Sequence, residues 1–216
     1  MLGIMIKDFY ETFCIKKNLI GMVTSVLFLF AFTLFMHNLY SLFLMVYMCL
    51  PMIGVSILQY SMEQDEISHY DKMLLTFPVT RKQIVQSKFL SILLFTLFVQ
   101  LCIALPIVLV FATVFHVITF KTVILIWFIG FLLSFIMNAI TSVGFFWLGN
   151  KKGTIVYMIF LVVIAIAYIC TQLFYGVDIF LSLKLNQIVW IGCFLAVIFN
   201  IISYYVCLII YQRKHS

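Results

Sequence analysis

Charge is what this sequence has least of. Only 9% of its 216 residues are Asp, Glu, Lys or Arg, while 66% are hydrophobic and the mean hydropathy is +1.24. A soluble domain runs at roughly 25% charged and 45–50% apolar, and a globule with so few charges cannot cover its surface. A soluble enzyme, a disordered chain and a secreted disulfide scaffold are excluded on that ground. Proline occurs three times and glycine nine times, so few residues oppose long helices. The six cysteines (Cys14, Cys49, Cys102, Cys170, Cys193 and Cys207) contain no C-x-x-C pair. That spacing suits neither a metal site nor a disulfide framework, and inert buried thiols are expected. A cleavable signal peptide is also missing. Lys7, Asp8, Glu11, Lys16 and Lys17 precede the first apolar run and no A-x-A site follows it, so the first span reads as an uncleaved signal-anchor.

Catalytic equipment is equally scarce. There is no H-E-x-x-H, no G-x-S-x-G and no intramembrane acid pair, and His37, His69, His116 and His215 share no helix face. Gly144 and Gly149 have the spacing of a Walker loop, but Asn150 stands where a lysine is required, so the chain itself is expected to hydrolyse no nucleotide. All seven acids fall outside the apolar runs. With no buried ionisable group expected, an ion-coupled pump or a voltage sensor lacks its charges.

What is present is a series of long charge-free runs. They lie between Lys17 and Glu63, Lys88 and Lys121, Lys121 and Lys151, Lys152 and Asp178, and Lys184 and Arg213. A spanning helix takes about 20 mostly apolar residues. The first run holds two spans, divided at His37-Asn38, and each of the others holds one. The fold class is therefore an all-α polytopic membrane protein with six transmembrane helices, at about 19–36, 39–60, 89–115, 122–148, 154–175 and 188–211. Pro51 and Pro106 lie within spans 2 and 3 and are expected to kink them.

Orientation follows from the basic residues. Lys7, Lys16, Lys17, Lys72, Arg81, Lys82, Lys88, Lys151, Lys152, Arg213 and Lys214 fall on one side, and only Lys121 and Lys184 on the other. The positive-inside rule makes the first side cytoplasmic, with both termini there. The net charge of +6 is an address for that face rather than a nucleic-acid patch, since no basic domain lies outside the spans.

Three segments outside the spans carry information. Residues 2–17 read as an amphipathic interfacial helix, with Leu2, Met5, Ile6, Phe9 and Phe13 on one side and Lys7, Asp8, Glu11 and Lys16 elsewhere. Residues 61–88 hold the densest charge. Tyr70–Thr76 can form a short helix with Tyr70, Met73, Leu74 and Phe77 on its apolar side. Pro78 disfavours helix at Phe77, and Thr80 with Gln83 three residues on makes a capping box that opens a second helix. Leu75, Phe77 and Val79 at this corner suit a partner on the cytoplasmic side. The external segment 176–187 is fairly apolar and fits a short interfacial or re-entrant helix. Inside the spans the polar side chains are uncharged: Gln59, Gln100, Asn138, Gln172 and Asn200. They serve either as glue between helices or as the lining of a substrate path.

The stretch from Glu66 to Leu90, with its Leu-Thr-Phe-Pro-Val-Thr-Arg-Lys-Gln-Ile-Val-Gln-Ser-Lys core, resembles the acidic-to-"L-P-[VI]-[ST]-R-x-x-[IV]-V-x-[SA]-K" segment of type-2 ABC exporter permeases, with Phe77 in place of the usual leucine. The six-span layout and the amphipathic N-terminus are similar as well. Among these permeases the small size looks most like the compact bacterial branch that includes the phenol-soluble modulin exporter. The resemblance implies a single transmembrane domain over 1–216: interfacial helix 1–18, spans 19–60, coupling segment 61–88, spans 89–211 and tail 212–216. It implies a second permease copy, identical or paralogous, and two ABC ATP-binding subunits that hold ATP and Mg, with no cofactor bound by this chain. Tyr70, Asp71, Leu74, Phe77, Pro78, Arg81 and Lys82 would then couple to the ATPase, with Phe77 and Pro78 at the tip. The cargo would be an amphipathic peptide or a lipophilic compound, exported across a bacterial plasma membrane. A vitamin-uptake substrate subunit of the energy-coupling-factor type is the alternative. It calls for an A-x-x-x-A surface in span 1, where Ala31 is the lone alanine. A membrane-embedded enzyme and an assembly or immunity factor are further readings.

Overall fold

The computed structural model describes residues 2–36, 38–74, 76–175 and 185–214. In a bilayer every backbone polar group must be satisfied within the chain, so apolar runs of this length become helices. Seven form. Helix α1 is Leu2–Phe13 and α2 is Lys16–Phe35. Helix α3 is Leu39–Ser68 and α5 is Arg81–Thr113, with the short α4, Tyr70–Leu74, between them. Helix α6 runs Phe120–Tyr175 and α7 runs Leu185–Lys214. No strand occurs among the described residues.

Helix α6 is two passes rather than one. Gly149 stands in it at φ 77 and ψ 179, outside helical geometry. On the far side of that break, a Cβ at Gly153 would lie 3.1 Å from the Phe145 Cα, and the rings of Phe145 and Tyr157 have centroids 6.3 Å apart. A straight helix rises about 1.5 Å per residue, which would hold those pairs roughly 12–18 Å apart. The chain therefore doubles back at 149–153, where a cytoplasmic turn was expected. Arms 120–148 and 150–175 are each long enough to cross, which makes six passes.

Side chains pair the ends of these helices. Lys17 meets Glu63 at 2.5 Å, the Asn150 amide meets Glu66 at 2.6 Å, and Arg81 reaches the Gln212 carbonyl at 3.4 Å. These contacts gather the basic residues of α2, α5, the α6 turn and α7 at one end of the bundle. Helix α3 is the central post, with 67% of its apolar window buried. The corresponding values of 22% for α2 and 17% for α7 leave those two helices offering most of their surface to lipid or to a partner. Phe95, Phe111, Phe145, Leu42, Met45 and Leu50 are completely buried in the core.

The two prolines act in the same way. A π-helical turn, Met45–Cys49, immediately precedes Leu50-Pro51, and another, Gln100–Ala104, precedes Leu105-Pro106. Proline lacks an N–H and crowds the carbonyl four residues before it. A wider turn relieves that crowding and is the form the expected kinks take here. Helix α6 packs on both turns. The Trp127 indole N–H donates to the Gln100 carbonyl at 2.9 Å. Gly130 lies so close to Val46 that a Cβ there would be 2.4 Å from Val46 Cγ1 and 3.1 Å from its carbonyl oxygen.

Three expectations change. The charged stretch 61–88 is not a surface loop over its whole length. Helix α3 carries span 2 on to Ser68 and α5 begins at Arg81, so the true connection is 69–80. Helix α1 does lie outside the spans, but its two sides do not divide as read: Asp8 at 1% and Met5 at 8% exposure both face inward, with Phe9 and Phe13 packed on the core, while Leu2 is 74% and Ile6 67% exposed. In an interface apolar side chains suit lipid and protein alike, whereas buried polar ones need protein partners. The expectation that no ionisable group is buried fails with it, because Asp8, Asp65 and Lys88 are all within the interior. The segment at 176–184 lies outside the described residues, as does His37 at the other turn.

Candidate functional site

The connection between α3 and α5 forms an elbow. Helix α3 ends where His69 turns into the left-handed region, φ 52, with its amide bonded to the Asp65 carbonyl. Helix α4 follows directly. It stops at Leu74, ahead of Pro78, and Thr76 and Phe77 close the turn through amides bonded to the Met73 and Leu74 carbonyls at 3.0 and 3.3 Å. The Thr80 capping box is complete. Thr80 Oγ1 accepts from the Gln83 amide at 3.3 Å, and the Gln83 side chain accepts from the Thr80 amide at 3.1 Å.

The coupling residues read from the sequence divide into anchors and tip. Leu74 is 2% exposed and Val79 packs on the core. Tyr70 lies under the Lys7 ammonium, which stands 4.2 Å from its ring centre. Met73, Phe77 and Pro78 are exposed, and so is Lys82. Arg81 is half-buried and reaches to α7. Asp71 and Leu75 lie outside the described side chains.

Beneath the elbow sits a buried ion network that joins α1, α3 and α5. Lys88 Nζ donates to Asp8 Oδ1 at 2.9 Å, to Asp65 Oδ2 at 2.7 Å and to Ser61 Oγ. Ser61 and Ser91 donate to the Asp8 carboxylate at 2.6 and 3.2 Å. Lys7 bridges Glu11 at 3.0 Å and Asp65. Burial raises the Glu11 carboxyl above the usual carboxylate range, against the opposing pull of Lys7. Two bases face three acids here, and protonating Glu11 would leave the two sides equal. The sequence reading missed this network. Its signal was three polar pairs at helical spacing: Asp8 with Glu11, Ser61 with Asp65, and Lys88 with Ser91.

The Walker-like stretch has its own occupant. The Asn150 amide opens the second arm of α6 and is taken by the Glu66 carboxylate, which complements the positive end of that helix. A Cβ at Gly149 would sit 3.0 Å from the same Glu66 oxygen. The segment entering the elbow is thereby bonded to the α6 turn.

The polar residues within the spans do not share one path. Asn138 and Asn200 line an open-sided cavity of about 660 Å³ between α5, the first arm of α6 and α7. Gln59 lines another, of about 620 Å³, between α2, α3 and the second arm of α6, with Thr24, Ser25, Ser56, Tyr60 and Tyr157. Gln100 lines neither; its amide donates to Ser134 Oγ at 2.6 Å in the contact of α5 with α6. Asn138 donates to Thr96 at 2.6 Å, and Asn200 donates to the Phe135 and Ala196 carbonyls at 3.1 and 2.8 Å. The Gln172 side chain lies outside those described. Among the described residues no group of His, Cys, Asp and Glu is placed to hold a metal ion.

A helical bundle with six apolar passes and a capped, partly anchored elbow between the second and third defines a multi-pass membrane protein. The chain belongs to the ABC-2 family of transporter proteins, whose family model matches residues 3–212. It is thus a permease subunit of an ABC transporter, and the family implies a separate ABC ATP-binding subunit as partner. No curated protein and no solved structure matches the chain.

Proposed function

We propose that this permease is an exporter, that two copies pair across the membrane, and that two ATP-binding subunits dock on the basic, cytoplasmic end. The observation that carries the reading is the elbow. Phe77 is 48% exposed and Met73 53% at a tip whose flanks, Leu74 and Val79, are fixed in the core. An exposed aromatic tip on a fixed base suits a groove in a partner. Force on the tip passes through Tyr70 and Lys7 to the ion network, and through Glu66 to the second arm of α6. The cargo is an amphipathic peptide or a lipophilic compound, because the wall of the cavity at Gln59 is mostly carbon, relieved by a carboxamide and hydroxyls.

The test is association with a co-expressed ABC ATP-binding subunit. Truncating an interface aromatic costs about 2 kcal/mol or more, so Phe77→Ala should weaken capture about 30-fold. Transport should fall in parallel, while the purified permease melts as the parent does. Capture and transport at parental levels in Phe77→Ala, and again after deletion of residues 70–82, would sink the proposal.

A further inference from the structure

We propose that the cavity between α5, the first arm of α6 and α7 is a binding site for one anionic membrane phospholipid. Its acyl chain would lie in the cavity and its phosphate at Lys82. The inference stands apart from the transport reading, since binding requires neither ATPase nor cargo.

The first observation is volume. Protein interiors close-pack, and an apolar cavity of about 150 Å³ already takes up a benzene-sized guest. The space here is about 660 Å³, open at the side and walled by Phe89, Leu93, Phe135 and Ile201 at bilayer depth. The amide nitrogens of Asn138 and Asn200 donate to Thr96, Phe135 and Ala196, and apart from the Asn138 Oδ1, which has no partner among the described residues, the wall offers a ligand chiefly carbon. In a membrane such a space fills with hydrocarbon.

The second observation is the order of chemistry along one face of α5. Lys82, Gln86, Phe89 and Leu93 recur at helical spacing. They place an exposed ammonium, an amide and then apolar wall at successive depths, about 5.4 Å per helical turn. A phospholipid presents phosphate, glycerol ester and acyl chain in the same order and over a similar length. Any spanning helix grades from basic to apolar. This one does so beside a cavity, and Arg81 next to Lys82 reaches across to the Gln212 carbonyl of α7. Lys82, one helical turn beyond Gln86 of the lining, puts a positive charge past this end of the cavity, which fits a negative headgroup rather than a zwitterionic one.

The full chain would be reconstituted with equal phosphatidylglycerol and phosphatidylcholine, purified in mild detergent and weighed by native mass spectrometry. A basic side chain near the membrane surface is worth about 1 kcal/mol to an anionic lipid, or about fivefold. The parent should hold one phosphatidylglycerol per chain at about that preference. Lys82→Gln should keep a lipid but lose the preference. Val197 is 60% exposed and lines the cavity, so Val197→Trp should fill it and release the lipid. Ile201→Trp, at a site 52% exposed, is a second filling variant should the first not fold. Equal retention of both lipids by the parent would overturn the proposal. So would unchanged phosphatidylglycerol in a folded tryptophan variant, or a cargo molecule in place of the lipid.

Discussion

Replacing Lys88 by methionine would remove the hub of the buried network while keeping an unbranched side chain only one atom shorter. The ammonium donates to Asp8 at 2.9 Å, to Asp65 at 2.7 Å and to Ser61, and it is 4% exposed. Without it two carboxylates, each 1% exposed, face one another from α1 and α3. Lys7 still reaches Asp65, but Asp8 keeps only the Ser61 and Ser91 hydroxyls. Removing one member of a buried ion pair typically costs about 3–5 kcal/mol, because the remaining charge is left desolvated. The upper half of that range is expected, since one cation serves two anions. The loss should be read from reversible unfolding of the purified chain in mixed micelles, followed by helical circular dichroism. A second variant separates charge from packing: Lys88→Met with Asp8→Asn and Asp65→Asn removes the orphaned charges and should recover at least half of the loss. Unfolding of Lys88→Met within about 1 kcal/mol of the parent, or a triple variant no more stable than the single, would refute the reasoning.

Two further changes test backbone positions. Gly149→Ala puts a side chain at φ 77 and ψ 179, a region held almost wholly by glycine, at about 1–3 kcal/mol, and sets its Cβ 3.0 Å from Glu66; lower stability is expected, with only part of it restored by Glu66→Ala, and stability equal to the parent would count against the turn. Gly130→Ala drives a Cβ to 2.4 Å from Val46 Cγ1, an overpacking worth about 1–3 kcal/mol; adding Val46→Ala should recover part of this in the same unfolding assay, and a neutral Gly130→Ala would show that the π-helical turn gives way freely.

The spans were legible because composition alone decides what a bilayer accepts, and charge-free runs mark their own ends. The elbow was legible because Pro78, Thr80 and Gln83 act within a few residues of one another. What the sequence hid was of two kinds. One was the direction of helix faces. The apolar residues of α1 divide between lipid and protein, and amphipathicity does not say which go where; Leu2 and Ile6 are outside, and Met5 is inside with Asp8. The other was pairing across distance. Asp8 with Lys88 and Glu66 with Asn150 lie more than seventy residues apart, and each of these charges, read singly, looks like an ordinary headgroup-level residue. The five intramembrane carboxamide residues show the same limit. Their polarity was visible, but the helices distribute the four described ones among two cavities and one sealed contact.

The π-helical turns at Met45–Cys49 and Gln100–Ala104 bear on how the molecule tolerates changes of length. A π-bulge is one surplus residue held within an α-helix. Deleting a residue from an ordinary α-helix swings everything beyond it by about 100°, which would turn core to lipid along the rest of a span. Deleting one within either of these turns would instead return α3 or α5 to regular winding, with both flanking faces still aimed as before. These two central helices therefore carry spare length at mid-span, where a shortened chain keeps its register.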